Sequence, residues 1–252
     1  MSKNIIITGA SSGIGKASAI KFASMGYNVA ITGRRKENLE ELSEYIENEF
    51  EIEVKTLNFD IRSNKETEIN ISSLLNEWQN IDLLLNNAGL AAGFDEFPKS
   101  DVNDWEQMID TNIKGLLYIS KIVSEKMVSQ NFGHIINVGS IAGYNVYPKG
   151  HVYCASKYAV RALTEGMRED LIQHNIKVSS INPGMVETEF SLVRLKGSES
   201  AAKNVYQGLE PLKPEDVAET IYFMSSQPDH VNLADVTILP KAQANAHYTY
   251  RK

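Results

Sequence analysis

Residues 4–15 read Asn-Ile-Ile-Ile-Thr-Gly-Ala-Ser-Ser-Gly-Ile-Gly: a short β-branched run, then three glycines, Gly9, Gly13 and Gly15, spaced G-x-x-x-G-x-G. Helical apolar spacing begins at Ile14 and continues to residue 25. A strand that turns through glycines into a helix presents backbone N–H groups and the positive end of the helix dipole to one point. Glycine also lets a pyrophosphate approach the main chain closely. Ser11, Ser12 and Ile14 belong to the same turn. Taken alone, such a loop also serves as a tight turn for close helix–sheet packing. Its place after the first strand of an alternating pattern favours a nucleotide cradle.

That pattern extends along the chain. Strand-like runs occupy residues 4–8, 28–32, 52–57, 81–85, 134–138, 177–181 and 235–239. Helical spacing fills 14–25, 37–49, 64–78, 102–129, 152–174 and 214–226. Strands alternating with helices imply βαβ units, hence an α/β, doubly wound parallel sheet of about seven strands with helices on both faces. Leu83-Leu84-Leu85 and Ile135-Ile136 are continuous apolar runs, as expected of central strands buried on both sides. No linker or repeat divides the chain, so residues 1–252 read as a single domain. Residues 183–208 interrupt the rhythm; the stretch at about 185–210 is expected to be a substrate lid. The tail, 241–252, has no pattern and is expected to fray or to dock on a neighbour.

Composition narrows the function. The 252 residues are 42% hydrophobic and carry a net charge of −7, with no basic face concentrated along the chain, which argues against general nucleic-acid binding. The single cysteine, Cys154, cannot form an internal disulfide, and five histidines show no ligand spacing, so no metal is expected. No apolar run reaches the roughly 20 residues that span a bilayer. The short run Ile5-Ile6-Ile7 is too brief for a signal-peptide core, so a cytoplasmic protein with no membrane partner is expected.

Two further places carry chemistry. The second strand ends Ile31-Thr32-Gly33-Arg34-Arg35, with no acid before Glu37. An acid there accepts a ribose 2′-hydroxyl, whereas an arginine accommodates a 2′-phosphate, so the cofactor reads as NADP(H). Tyr153 and Lys157 are spaced i, i+4 and share one helix face. An ammonium beside a phenol lowers its pKa, fitting Tyr153 for proton exchange with a substrate oxygen. The small residues Ala155, Ala159, Ala162 and Gly166 fall opposite, where they would allow close packing. Ser140 follows the strand at 134–138, at the carboxyl edge where open α/β sheets bind ligands.

With these features in order, the chain resembles the short-chain dehydrogenase/reductase family over nearly its whole length. The resemblance implies a Rossmann fold and assigns roles. Residues 8–15 look like the family's cofactor loop. Asp60 matches the acid that contacts adenine, and Asn86-Asn87-Ala88-Gly89 matches the segment beside the cofactor. Pro183, Gly184 and Thr188 match the stretch beside the nicotinamide. Asn112, Ser140, Tyr153 and Lys157 match the catalytic tetrad. It implies that Tyr153 is the acid/base, that Lys157 binds the nicotinamide ribose, that Ser140 positions the substrate oxygen, and that Asn112 supports a relay water. It also implies a homotetramer or homodimer built on the helices at 102–129 and 152–174.

The C-terminal half is similar to a subgroup of NADP-dependent 3-hydroxy acid dehydrogenases, through Glu189-Phe190-Ser191-Leu192-Val193-Arg194-Leu195-Lys196-Gly197, Pro214-Glu215-Asp216-Val217-Ala218 and Thr237-Ile238-Leu239-Pro240. This implies a small 3-hydroxy acid, or its semialdehyde or 3-oxo form, as substrate. Arg194 is then expected to hold the substrate carboxylate, with Lys196 as the other cation in reach, and Tyr147 to line the pocket. A carbonyl reductase of bulkier ketones or 3-oxoacyl thioesters is the alternative enzyme, and a non-catalytic NADP-binding sensor the alternative of another class.

Overall fold

The computed structural model describes residues 2–252. Seven strands, β1 (Asn4–Ile7), β2 (Asn28–Gly33), β3 (Val54–Asn58), β4 (Leu83–Asn86), β5 (Gly133–Val138), β6 (Ile176–Pro183) and β7 (Asp235–Ile238), form one sheet in the order β3-β2-β1-β4-β5-β6-β7. Every pairing is parallel. Successive strand residues point to opposite faces, and here both faces are apolar. Ile5 and Ile7 join a core with Phe22, Leu39, Ile46 and Ile221, while Ile6 joins Ile71, Leu74, Ile119 and Val123 on the other side.

The first core is covered by α1 (Gly13–Ser24), α2 (Lys36–Glu49) and α9, the helix at Pro214–Ser225. The second is covered by α3 (Asn64–Glu77), α5 (Leu116–Gln130) and α6 (His151–Leu171). The acidic α2 buries only Leu39, Leu42 and Ile46, and its carboxylates face water. The strand order reverses between β1 and β4, so a crevice opens outside their carboxyl ends, where the connections leave in opposite directions.

The expected helix at 102–129 is not continuous. It is α4 (Val102–Ile109), a π-helical turn (Asp110–Gly115) and α5. Side-chain periodicity does not specify whether one turn closes i→i+4 or i→i+5 hydrogen bonds, so it does not reveal the π-turn. The expected loop at 183–208 contains two short helices, α7 (Phe190–Arg194) and α8 (Glu199–Asn204). The tail docks on its own chain: Arg251 donates to the carbonyls of Val205 and Gln207, and Gln243 Oε1 accepts from Met185 N at 2.8 Å. The expected close packing behind α6 is not seen: Ala155, Ala162 and Gly166 are exposed and Ala159 is half-buried, while α6 buries the opposite side, including Tyr153, Ser156 and Lys157. Among the described residues, no helix is long and apolar enough to cross a membrane, and no group of histidine, cysteine and acidic residues could hold a metal.

One buried group in β5 gives a pH signature. His134 is 4% exposed and lies 2.8 Å from Ser179 Oγ, whose own hydroxyl donates to Asn232. Ser179 therefore accepts, and His134 Nε2 carries the proton of a neutral ring. Burial, with a smaller contribution from the charge of Lys177, pulls His134 down to about 3. Between pH 6.5 and 3 the unfolded chain then binds the extra proton and the folded chain does not, so stability falls as pH drops. Urea unfolding at pH 7 and pH 5 is expected to show a loss of about 2 kcal/mol through this group. His134→Gln should lose correspondingly less; equal losses would contradict the reading.

Candidate active site

The crevice between β1 and β4 is a cleft of about 400 Å³. Its floor is the glycine turn. Gly9 has φ +65°, and a Cβ there would stand 2.9 Å from Ala88 Cα. A Cβ on Gly15 would lie 2.4 Å from Gly9 O. Only glycine lets the loop, the start of α1 and the 87–88 segment close on each other. Thr8 and Asn87 complete the joint. Thr8 Oγ1 accepts from the N–H groups of Asn87 and Ala88, both at 2.9 Å, and Asn87 Nδ2 donates to Thr8 O at 2.8 Å. The N-terminus of α1 has no acid in its first turn, and Ser12 makes no side-chain cap. An uncapped helix start facing a glycine-lined cleft has the chemistry of a phosphate cradle. These residues fit a dinucleotide, with Gly9, Ser11, Ser12, Gly13 and Ile14 lining the cleft and Gly15 packed beneath it.

At the catalytic end, α6 brings Tyr153 and Lys157 to the cleft wall beside Ser140 and Gly89. Ser140 caps the short 3-10 turn Ile141–Gly143, its Oγ accepting from Ala142 N at 3.1 Å. Lys157 Nζ donates to Val138 O at 2.8 Å, and burial pulls its pKa down to about 8. It therefore stays an ammonium at neutral pH.

The expected lowering of the Tyr153 pKa by Lys157 is not realised here. Lys157 Nζ lies 5.9 Å from the Tyr153 ring centroid and is directed at Val138 O. Burial instead pushes the phenol well above its usual range. The neighbouring Tyr147 adds to the rise, while the Ser140 hydroxyl and the Arg194 charge oppose it. Tyr153 is thus a protonated phenol at neutral pH.

Asn112 sits in the π-helical turn and stands behind the cleft rather than in its wall. Its Oδ1 accepts from Leu90 N and its Nδ2 donates to Leu90 O, both at 2.8 Å, and Nδ2 also reaches Ser156 Oγ at 3.0 Å. The side chain is committed to positioning the 89–90 segment. A Cβ on Gly89 would meet Asn112 Oδ1 at 3.3 Å and Lys157 Nζ at 3.6 Å, so Gly89 is the spacer between the two.

At the opposite end, Arg34, Arg35 and Asp60 line the cleft, as expected. Asp60 accepts from Arg62 Nε at 2.9 Å and Nη2 at 2.6 Å. Burial raises its pKa, but the Arg62 hydrogen bonds outweigh this and hold it below its ordinary value. Arg35 donates to Glu189 at 2.8 Å.

Pro183 ends β6 in the cleft wall, and Gly184 and Thr188 continue it, with Val186, Glu189, Phe190 and Val193. Gln243 from the tail buttresses this turn, where a Cβ on Gly184 would stand 2.3 Å from its Oε1. Phe190 packs edge-on to Tyr153 at 5.5 Å. Beyond Tyr153 lies Arg194, half-buried and 4.5 Å above the Phe94 ring and 5.2 Å above that of Tyr147. Arg194 Nη1 donates to Tyr147 Oη at 2.9 Å, while its Nε is buried without a partner. No carboxylate among the described residues pairs with Arg194, whereas Lys196 is ion-paired to Asp104 at 2.9 Å. Of Arg194 and Lys196, Arg194 is therefore the one available to an anion. Phe94 had no sequence signal, because residues 90–100 carry no motif. Glu189 and Phe190 open the 189–197 stretch that carries the subgroup resemblance, which gave neither residue a role of its own.

Comparison with known proteins agrees with this geometry. The family model of the short chain dehydrogenases matches residues 3–196. An NADP-dependent 3-hydroxy acid dehydrogenase of Schizosaccharomyces pombe is 41% identical over 251 residues, which is 99% of this chain and 97% of that protein. The NADP-dependent 3-hydroxy acid dehydrogenase YdfG of Shigella flexneri is 42% identical over 243 residues, 96% of each. Among solved structures, the closed form of a serine dehydrogenase complexed with NADP+ superposes with a TM-score of 0.92 at 41% identity, over 99% of both chains. The chain belongs to the short chain dehydrogenase family.

Proposed function

We propose that this protein is an NADP-dependent oxidoreductase acting on the 3-hydroxyl of a small 3-hydroxy acid, or reducing the corresponding semialdehyde or 3-oxo acid. The relatives at 41 and 42% identity are named for this activity. The observation that carries the substrate class is Arg194, a guanidinium with an unpartnered buried Nε and no ion pair among the described residues, set next to Tyr153. Leaving a buried charged donor unpaired is costly, and a substrate carboxylate would supply what the fold withholds.

The glycine turn and the start of α1 would hold the cofactor's pyrophosphate, Arg34 and Arg35 its 2′-phosphate, and Lys157, Pro183, Gly184 and Thr188 its nicotinamide riboside. When bound, the cofactor supplies or takes up the hydride. Ser140 donates a hydrogen bond to the substrate oxygen and fixes it against Tyr153. In reduction Tyr153 gives its phenolic proton to that oxygen, and in oxidation it takes the proton back. Lys157 keeps a positive charge beside this exchange, Asn112 holds Gly89 and Leu90 in place, and Tyr147 fixes Arg194.

Residues 185–210 form the lid, tied down by the Arg35–Glu189 and Asp104–Lys196 ion pairs. We also infer a cytoplasmic homotetramer or homodimer, its contacts made by the exposed Leu117 of α5 and Tyr158 of α6. Sedimentation at the 28.1 kDa of one chain would contradict that assembly.

Arg35→Ala is expected to weaken NADP+ binding by roughly 10–100-fold, the worth of a charge-assisted contact, and to leave NAD+ nearly unchanged. Calorimetric titration of both cofactors checks this. Equal weakening of both would remove the 2′-phosphate role.

A further inference from the structure

The arginine best placed to receive a 2′-phosphate is already holding an anion. Arg35 Nη1 donates to Glu189 Oε2 at 2.8 Å, Nη2 to Ser12 Oγ at 2.7 Å and to Ser11 Oγ at 3.1 Å, and Nε to Ser11 Oγ at 3.2 Å. These partners and Arg35 all line the nucleotide cleft. One guanidinium nitrogen, Nη1, is thus already held by a carboxylate oxygen, an acceptor of the same sign as a phosphate's. The hydrogen bond from Arg35 also keeps the Glu189 carboxyl below its ordinary pKa, so it is ionised at neutral pH. A phosphate dianion and an ionised carboxylate on one guanidinium repel each other.

Glu189 is also the residue immediately before α7, the helix that carries Phe190 against Tyr153 and ends at Arg194. The far end of α7 is fixed separately. Gly93 N donates to Arg194 O at 3.1 Å, and Lys196 pairs with Asp104. The Arg35–Glu189 pair is therefore the tie between the adenosine end of the cleft and the near end of the lid.

We propose that Glu189 is a cofactor-specificity residue that competes with the nucleotide 2′-phosphate for Arg35. A 2′-phosphorylated nucleotide breaks the pair and frees the near end of α7, whereas an unphosphorylated one leaves it in place. The proposal rests on the NADP reading above. It adds that selectivity includes the displacement of an internal anion, and that the lid senses which nucleotide has arrived.

The test is calorimetric titration of the full chain and of Glu189→Gln with NADP+, NAD+, 2′,5′-ADP and ADP. Both side chains of the pair are about half exposed, so removing the competing charge is expected to tighten NADP+ and 2′,5′-ADP by about fivefold. NAD+ and ADP should be unchanged. Unchanged or weaker binding of the phosphorylated pair in the variant would overturn the competition, provided the wild type prefers NADP+. A wild type with no preference for NADP+ would instead defeat the cofactor reading itself. The lid is read separately in the wild-type protein. Trypsin cleavage at Arg194, Lys196 and Lys203 should rise severalfold with 2′,5′-ADP and not with ADP. The same change with both ligands would overturn the link to the lid.

Discussion

Tyr153→Phe is expected to lower kcat by about 10²–10⁴-fold, the usual contribution of a positioned general acid–base. Calorimetric titration should find cofactor affinity close to wild type, because the phenyl ring keeps its place against Phe190 and only the hydroxyl is removed. The argument is local. Tyr153 is 9% exposed, stands beside Ser140 in the cleft wall, and is held protonated at neutral pH by burial. It is the buried proton donor at the point where a substrate oxygen would rest against the Ser140 hydroxyl. Retention of more than about a tenth of kcat would assign the proton to another group.

Arg194→Met is expected to lower kcat/KM for 3-hydroxy acids by roughly 10–100-fold, the worth of a charge-assisted hydrogen-bonding partner. Most of the loss should fall on KM, since the carboxylate is held in both ground and transition states. For a neutral secondary alcohol of similar size the change should be small. Methionine keeps much of the side-chain volume between Phe94 and Tyr147, so the cage does not collapse, and the neutral alcohol serves as internal control. Equal losses on both substrates would give Arg194 a structural role through Tyr147 in place of a carboxylate role.

Fold class and strand positions were legible because the central strands are apolar on both faces. Ile5, Ile6 and Ile7 enter opposite cores, and Leu83, Leu84 and Leu85 do the same, a pattern few other architectures require. Tyr153, Lys157 and Ser140 were legible because helix spacing and strand ends place them together. What the sequence hid depends on contacts far apart in the chain. Arg35 and Glu189 meet across 154 positions, and Arg251 reaches Gln207 across 44. Nothing local in the tail announces that Gln243 seals the Gly184 turn. The π-helical turn at Asn112 was invisible because it is a change of backbone hydrogen bonding, which side-chain periodicity does not specify. The Tyr153 shift runs opposite to the expectation because the i, i+4 spacing shows proximity to Lys157 but not burial, which here dominates.

The most direct test is NADPH formation by the purified protein, followed at its absorbance maximum. NADP+ or NAD+ would be supplied with L-serine, L-allo-threonine, 3-hydroxypropionate, 3-hydroxyisobutyrate and a neutral secondary alcohol. The expected result is turnover of the 3-hydroxy acids with NADP+, with weak turnover of the neutral alcohol and little with NAD+. Turnover confined to the neutral alcohol, or equal rates with both cofactors, would contradict the roles assigned to Arg194 and to the Arg34–Arg35 pair.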